Sequence, residues 1–270
     1  MAGFWDKGVG YLKDKTDGIS VGSTDQNSLL KTFSFTGASG GVGTSTLITY
    51  IAQYLANVDG KQVVILDLNF LQPDILYRLD VDVTSDNSII NYLKGTKKLE
   101  ECFIPVESMK KLHLITASPK DSVELIMNMS AGKDIVGHLI DQLSVFDYVL
   151  INLPYLQPFI TFIEPIQKID KGYIILDERL ENLKRTQGIL DFIHIYQNRA
   201  PVFSNLILNK LTEYDYPEDV LTDLHCNVVS RIPLDNALIQ YTNSQKSLLE
   251  KNISLEMQLE LANIIENMKR

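Results

Sequence analysis

A glycine-rich stretch near the start of the chain carries residue types suited to binding an anion. It directly follows a hydrophobic segment and reads Gly37-Ala38-Ser39-Gly40-Gly41-Val42-Gly43-Thr44-Ser45-Thr46. Glycines allow the backbone to curve so that several amide N–H groups point into one concave space, and the N-terminus of a following helix adds positive partial charge. A nucleotide phosphate is the natural anion for such a space. Residues 37–46 therefore predict a phosphate-binding loop between a strand and a helix.

Polar residues at the ends of three later hydrophobic segments are suited to complete such a site. Asp67, Asn152 and Asn209 each close a short apolar run. The carboxyl ends of parallel strands meet at one edge of a sheet, where open α/β folds bind nucleotides. Taken singly, each of these residues has an alternative role in ending a strand or capping a neighbouring turn. Together with the loop, they favour a nucleotide pocket.

The segments that would position these residues alternate between two patterns. Short apolar, β-branched runs indicate buried parallel strands, and the stretches between them have a helical pattern. The predicted strands are 31–36, 62–67, 112–116, 148–152, 172–176, 206–209 and 228–231. The predicted helices are 45–57, 122–129, 132–143, 182–197, 217–224, 236–251 and 255–268. This alternation predicts an α/β fold with a mostly parallel central sheet and helices on both faces.

The first 30 residues differ in composition from the rest. Phe4, Trp5, Val9 and Leu12 would form one apolar stripe on a short helix, and the polar, Gly- and Ser-containing residues after them indicate a flexible linker. We therefore expect a short helix with a linker over residues 1–30 and a single domain over residues 31–270. The short helix either docks on that domain or anchors the chain to a partner or a membrane surface.

The composition is that of a globular protein, with 45% hydrophobic and 22% charged residues. The formal net charge of -9 repels phosphate backbones, so we do not expect nucleic acid as a partner. The two cysteines and four histidines lack the spacings of disulfide frameworks or zinc sites. We find neither a signal peptide nor a spanning segment, and we expect a cytoplasmic location.

Several of these segments resemble motifs of one nucleotide-binding family. Residues 39–45 resemble the KGGxGK[ST] box of the deviant-Walker-A family, which includes MinD and ParA. The Gly-Gly-Val-Gly-Thr-Ser-Thr ending looks most like the CpaE and TadZ branch of Flp/Tad pilus assembly, in which the second lysine is commonly missing. Residues 63–69 resemble the family's second motif, and residues 146–154 resemble its Walker B segment. Asn209-Lys210 resembles the adenine-contacting dipeptide, and residues 232–235 with 243–245 resemble the C-terminal segment. The resemblance extends from about residue 31 to residue 268.

The resemblance implies a P-loop NTPase fold that binds ATP or ADP with Mg²⁺. Ser45 would give the metal a hydroxyl ligand, and Asp67 is the carboxylate left near the phosphates. The implied nucleotide-binding residues are Ser39, Gly40, Gly41, Val42, Gly43, Thr44, Ser45, Thr46, Asn209, Pro233 and Asp235. The resemblance also implies a homodimer whose loops face each other and partners among pilus or secretion-machine proteins. Such partners would recruit the chain to the inner face of the membrane or to a cell pole.

The chain departs from the family pattern at four positions, and all four concern charged groups. Ser39 and Thr44 stand where the family has its signature lysine and its Walker lysine. Asn69 stands where the family's second motif often has an aspartate. Asn152 stands where its Walker B segment has an aspartate. Asp67 is therefore the one retained catalytic candidate.

These losses affect binding and hydrolysis differently. Losing one charged donor costs about 1.5–3 kcal/mol, which is about ten- to a hundredfold in affinity, so binding by backbone amides survives. Removing one preorganised donor costs about 10²–10³ in rate, and the combined losses cost on the order of 10⁴–10⁶. A basic residue from elsewhere would restore part of this, and the candidates are Lys61, Lys210 and Arg231.

We therefore expect a nucleotide-binding scaffold that hydrolyses ATP weakly or not at all. Its role would be to localise or assemble an envelope machine such as a Flp/Tad pilus. One alternative is an active positioning ATPase of the MinD or ParA kind. Another is an interaction module that binds no ligand. The last predicted helix, residues 255–268, contains glutamates and no aromatic residue, so it resembles a packed helix more than a membrane-binding tail.

Overall fold

The computed structural model describes residues 31–121, 134–154, 165–196, 202–212, 216–236 and 254–270. Eight strands lie within these ranges and form one sheet. Numbered β1 to β8, they are Thr32–Gly37, Val63–Asp67, Ile104–Pro105, Leu112–Ile115, Tyr148–Leu153, Lys171–Leu176, Phe203–Leu211 and Asn227–Pro233.

The strand order is β3-β4-β2-β5-β1-β6-β7-β8. Neighbouring strands are parallel, except that β3 pairs antiparallel with β4 at the edge. Strand β1 lies between β5 and β6, so the chain leaves it toward β2 on one side and later returns to β6 on the other. In an open parallel sheet, such a switch in strand order leaves a crevice at the carboxyl ends of the strands. The glycine-rich loop follows β1 at this position.

Seven helices and two 3₁₀ helices lie in the described parts of the chain. Numbered α1 to α7, the helices are Thr44–Asn57, Ile75–Leu79, Ile89–Leu93, Ile135–Gln142, Leu180–Tyr196, Glu218–Thr222 and Leu255–Lys269. The 3₁₀ helices are Leu99–Cys102 and Leu143–Val145. The sequence did not predict α2, α3, the 3₁₀ helices or the two-residue β3. These elements are too short to show a helical or a strand period.

The sheet buries both of its faces. In β2, Val63 and Ile65 pack on the face that is covered by α1, α2 and α7, while Val64 and Leu66 pack on the face that is covered by α3, α4, α5 and α6. Successive residues of a strand point to opposite faces, so a strand buried on both sides is apolar throughout. The α/β fold with a mostly parallel sheet and helices on both faces is confirmed.

All seven predicted strands are confirmed, with ends that differ by at most three residues. The last predicted helix is confirmed as α7, whose Met257, Leu261 and Ile264 are buried against the sheet. The predicted helices 122–129 and 236–251 lie outside the described residues, as does the segment 1–30.

A matched pair of glycines tests the packing of the sheet. A Cβ on Gly172 of β6 would lie 2.5 Å from a ring carbon of the buried Phe203, so there is no room for it. Gly172→Ala should destabilise the fold by about 1–3 kcal/mol, the usual cost of overpacking. Gly188 of α5 has no atom within 4 Å of such a Cβ. Gly188→Ala should stabilise the helix by about 0.5–1 kcal/mol.

Urea denaturation of the two variants measures both free energies of unfolding. Equal stabilities for Gly172→Ala and Gly188→Ala would contradict the packing of β6 against Phe203.

Candidate functional site

A cleft of about 450 Å³ opens at the carboxyl ends of the strands, above the loop that joins β1 to α1. The loop contributes its floor, and residues at or after the ends of β2, β5, β7 and β8 contribute its walls. Most of the predicted nucleotide-binding residues line it. They are Ser39, Gly40, Gly41, Gly43, Thr44, Ser45, Thr46, Asn209, Pro233 and Asp235.

Two predicted site residues lie outside the lining of the cleft. Val42 belongs to the loop, but its side chain is buried in the core on the α1 face of the sheet. Asp67 at the end of β2 has no solvent exposure, and its neighbour Asn152 at the end of β5 lines the cleft instead. Val42 can therefore offer a ligand its backbone alone, and Asp67 lies behind the first layer of the site.

The backbone of the loop has a curved conformation that glycine permits. Gly41 and Gly43 have φ angles of 80° and 102°, in the left-handed region that other residues avoid. A Cβ on Gly37 would lie 2.7 Å from the Val42 side chain and 2.9 Å from the Ser39 carbonyl oxygen. Helix α1 begins directly after Gly43, and no side chain caps its N-terminus. Uncapped N–H groups at a helix N-terminus, next to a glycine-rich loop, form a site suited to anions.

The dipeptide after the middle of β7 holds the loop in this conformation. The Asn209 side-chain amide donates to the Val42 carbonyl oxygen at 2.7 Å, and Lys210 Nζ donates to the Gly41 carbonyl oxygen at 2.6 Å. A Cβ on Gly43 would overlap the Asn209 amide nitrogen. The resemblance implied that Asn209 contacts adenine, which stays a prediction; in this structure its amide nitrogen donates to the glycine-rich loop.

A buried carboxylate lies beneath the other side of the cleft. Asn152 Nδ2 and the Asn69 N–H donate to Asp67 Oδ1, at 2.8 Å and 3.0 Å. Asp67 Oδ2 is buried and has no hydrogen-bond partner among the described residues. Burial, reinforced by the negative charge of Asp74, raises the pKa of Asp67 to about 7, although the hydrogen bonds from Asn152 and Asn69 and a smaller contribution from the Ile75 backbone oppose this rise. The orphaned oxygen marks a place where a further donor or a cation would lower the free energy.

Side chains of the types that bind metal ions in proteins lie around the cleft. No group of three or more His, Cys, Asp or Glu side chains suited to a metal ion occurs within the ranges that the structure describes. Ser45 lines the cleft with its hydroxyl, Asp67 lies under it, and the carboxylates of Asp74 and Asp235 also line it. Mg²⁺ commonly takes one or two protein ligands and completes its shell with phosphate oxygens and water. Ser45, with its hydroxyl in the cleft, and Asp67, with its orphaned oxygen beneath it, are of the ligand types that such an ion takes.

The three basic candidates from the sequence have different positions. Lys210 lines the cleft. Lys61 precedes β2 and is therefore at the opposite, amino end of the sheet. Arg231 lies within β8, where its backbone N–H donates to the Glu260 carboxylate at 2.7 Å, and it is not among the lining residues.

Two arginines that the sequence analysis missed lie beside the loop. Arg78 of α2 lines the cleft and pairs with Asp74 at 3.0 Å. Arg179, just before α5, donates from Nη2 to Ser39 Oγ at 2.9 Å and from Nε to both carboxylate oxygens of Asp177. The i,i+4 spacing of Asp74 and Arg78 in the sequence could have predicted their ion pair on a helix. The contact between Arg179 and Ser39 joins positions 140 residues apart and has no local signal.

Solved structures with similar folds are P-loop proteins of the MinD and ParA kind. The MinD cell division protein of Aquifex aeolicus has a TM-score of 0.69 and 18% identity, with 89% of this chain and 98% of that chain covered. A ParA family ATPase from Chlorobium tepidum TLS has a TM-score of 0.72 and 21% identity, with 87% of this chain and 98% of that chain covered. The septum site-determining protein MinD of Pyrococcus horikoshii OT3, complexed with Mg-ADP, has a TM-score of 0.72 and 17% identity, with 89% of this chain and 96% of that chain covered. These likenesses show that the chain shares the α/β fold of these proteins.

No protein-family model matches the sequence, and no curated protein matches it. Among the described helices, none combines the length and the apolar character needed to cross a bilayer.

The buried carboxylate predicts a pH dependence of stability. Because the pKa of Asp67 is raised by folding, the folded chain holds its proton where the unfolded chain has lost it, and stability falls as pH rises from about 4 to about 7. The cost above pH 7 is on the order of 4 kcal/mol. Asp67→Asn keeps the acceptor oxygen and removes the charge. It should therefore stabilise the apo protein at pH 8, with a gain that shrinks toward pH 4.

Denaturation curves at several pH values measure this gain. Asp82→Asn, which removes an exposed carboxylate, is the control and should shift stability little at any of them. An Asp67→Asn variant whose stability difference from the parent chain is the same at pH 5 and pH 8 would contradict the raised pKa.

Proposed function

We propose that this chain binds ATP or ADP in the cleft and acts as a nucleotide-binding scaffold with weak or no hydrolysis. The observation that carries the proposal is the glycine loop with left-handed residues that precedes the uncapped N-terminus of α1 and lines the cleft. The P. horikoshii neighbour was solved with Mg-ADP, which supports the choice of an adenine nucleotide.

The walls of the cleft are consistent with a nucleotide lying across it. Residues 39–46 would bind the phosphates through backbone amides and hydroxyls, and Asn209, Pro233 and Asp235 would lie beside the nucleoside. Pro233 and the half-exposed Leu234 offer apolar surface that suits a planar base. Ser45 and Asp67 would hold Mg²⁺, which would screen the negative charge of the phosphates.

The site supports binding better than catalysis. Ser39 and Thr44 are neutral where the family that the sequence resembles has lysines, and Asn152 donates to Asp67 where that family has a second carboxylate. Backbone amides bind the ground state, but they do not replace the preorganised charges that lower the barrier to phosphoryl transfer. Asp67 is the catalytic candidate that remains, and its raised pKa leaves it partly protonated near pH 7.

The cellular role that we propose follows the CpaE/TadZ-like form of the loop. Residues 31–270 would form the nucleotide-binding domain, and residues 1–30 a short helix with a linker. The chain would form a homodimer and help to localise or assemble an envelope machine such as a Flp/Tad pilus. Proteins of that machine would bring it from the cytoplasm to the inner face of the membrane or to a pole. The overall negative charge argues against nucleic acid as the partner.

Thermal unfolding with and without MgATP or MgADP tests the binding proposal. At a nucleotide concentration of about 100 times Kd, stability should rise by about 2.7 kcal/mol, which corresponds to roughly 5–10 °C in Tm. Gly43→Ala should abolish this rise, because the new Cβ overlaps Asn209 and the left-handed φ becomes strained. Gly95→Ala is the matched control, since Gly95 also has a left-handed φ but lies outside the cleft.

The control variant should lose some stability from backbone strain and keep the full nucleotide-dependent rise. No rise for the parent chain at millimolar nucleotide would contradict the proposal and favour a ligand-free interaction module.

Steady-state phosphate release tests the second half of the proposal. A typical turnover of about 10 per second, reduced by 10⁴ or more, predicts less than about 10⁻³ per second. Turnover near the typical value that Ser45→Ala or Asp67→Asn abolishes would instead establish an active ATPase.

A further inference from the structure

We propose that the Arg78 guanidinium binds the terminal phosphates of the nucleotide, and so supplies the cationic charge that Thr44 lacks. This inference rests on the proposed function, because it assigns a ligand contact within the same cleft. Arg78 lies on α2, the short helix after β2, and lines the cleft together with the loop. It belongs to none of the segments in which the sequence suggested a binding residue.

The hydrogen bonds of Arg78 leave capacity for a ligand. Nη2 pairs with Asp74 Oδ2 at 3.0 Å, four residues earlier in the chain. Nε is buried and has no acceptor among the residues that the structure describes. Leaving a buried N–H without an acceptor is unfavourable, so an acceptor supplied by a ligand would be stabilising here. Phosphate oxygens match a guanidinium well, because the two groups can form parallel charge-assisted hydrogen bonds.

The two ends of the cleft differ in chemistry, and this difference sets the direction of the nucleotide. At the β8 end, Pro233 and Leu234 provide apolar surface for a base. At the β2–β5 end, the lining is polar and includes Asn69, Asn152 and Arg78. A nucleotide with its base at the first end and its inner phosphate on the loop extends its terminal phosphates toward the second. Among the described residues that line that end of the cleft, Arg78 carries the positive charge.

The other basic side chains near the loop are held by stronger or more distant contacts. Lys210 is at the β7–β8 end and donates to the Gly41 carbonyl oxygen. Arg179 forms a two-oxygen contact with a largely buried carboxylate, and it is not among the lining residues. The partner of Arg78, in contrast, is a single oxygen of Asp74, whose side chain is 42% exposed. The Arg78 side chain is itself 25% exposed, and a single contact between two partly exposed side chains contributes little, so Arg78 can turn toward a phosphate at low cost.

Calorimetric titration of the full chain with MgATP, MgADP and AMP tests the assignment. Arg78→Ala should weaken MgATP and MgADP binding by about ten- to a hundredfold, as expected for the loss of a charged donor. AMP lacks the terminal phosphates, so its affinity should change by less than about threefold, a small fraction of that loss. Arg78→Lys keeps the charge without the planar fork and should lose less than Arg78→Ala.

Asp74→Asn separates a phosphate contact from a structural role of the ion pair. It breaks the same pair, keeps Arg78 and removes a negative charge from the cleft wall, so it should tighten MgATP binding by about two- to fivefold. Asp74 makes no side-chain cap to α2, so this change leaves the helix start intact.

The outcomes distinguish the inference from the proposed function. A parent chain that binds none of the three nucleotides contradicts the proposed function itself. A parent chain that binds MgATP, with Arg78→Ala binding it equally well, overturns the assignment of Arg78 alone. Equal losses for AMP and MgATP, or a loss in Asp74→Asn as large as in Arg78→Ala, would also overturn it, because both results indicate a structural role. If Arg78→Ala does not fold, Arg78→Lys and Asp74→Asn decide by the same criteria.

Discussion

The cleft depends on a close approach between the backbone at Gly43 and the side-chain amide of Asn209. This contact leaves no room for a Cβ on Gly43, and the same amide holds the Val42 carbonyl oxygen. A second contact, from Lys210 Nζ to the Gly41 carbonyl oxygen, holds the next peptide of the loop. With these carbonyl groups turned toward β7, the loop remains curved at the start of α1. The cleft that these loop residues line depends on this packing.

The positive charge around the cleft comes from outside the loop, because the loop itself contains no lysine or arginine. In this chain the loop contributes glycines and hydroxyls, and the basic groups come from outside it, on α2, before α5 and on β7. Among the described residues, the basic groups beside the loop are bound to Asp74, Asp177 and the Gly41 carbonyl oxygen. Meanwhile, Asp67 is buried with an orphaned oxygen and a raised pKa. Such an arrangement suits a ligand that brings both phosphate and Mg²⁺, because each would meet an unsatisfied group of opposite character.

Much of the fold could be predicted because buried parallel strands are apolar throughout, and this pattern does not depend on tertiary structure. The loop could be predicted equally well, because glycines placed between a strand and a helix in this order are typical of phosphate-binding loops. Elements such as α2 and β3 were missed because five and two residues show no period. The positions of Arg78 and Arg179 could not be inferred, since their contacts with the site depend on how distant segments pack. Asn209 was found as a site residue, but its contact with Val42 was not foreseen, because one amide can serve a base or a backbone carbonyl equally well.

The central claim is that the amides of residues 40–46 receive phosphate oxygens. Backbone amide resonances measured during titration with MgADP test this claim most directly, because they report on each N–H separately. The account predicts saturable shifts for the amides of residues 40–46 and none for a distant left-handed glycine such as Gly95. Amides of the loop that remain unshifted at millimolar MgADP, or shifts confined to another surface, would contradict it.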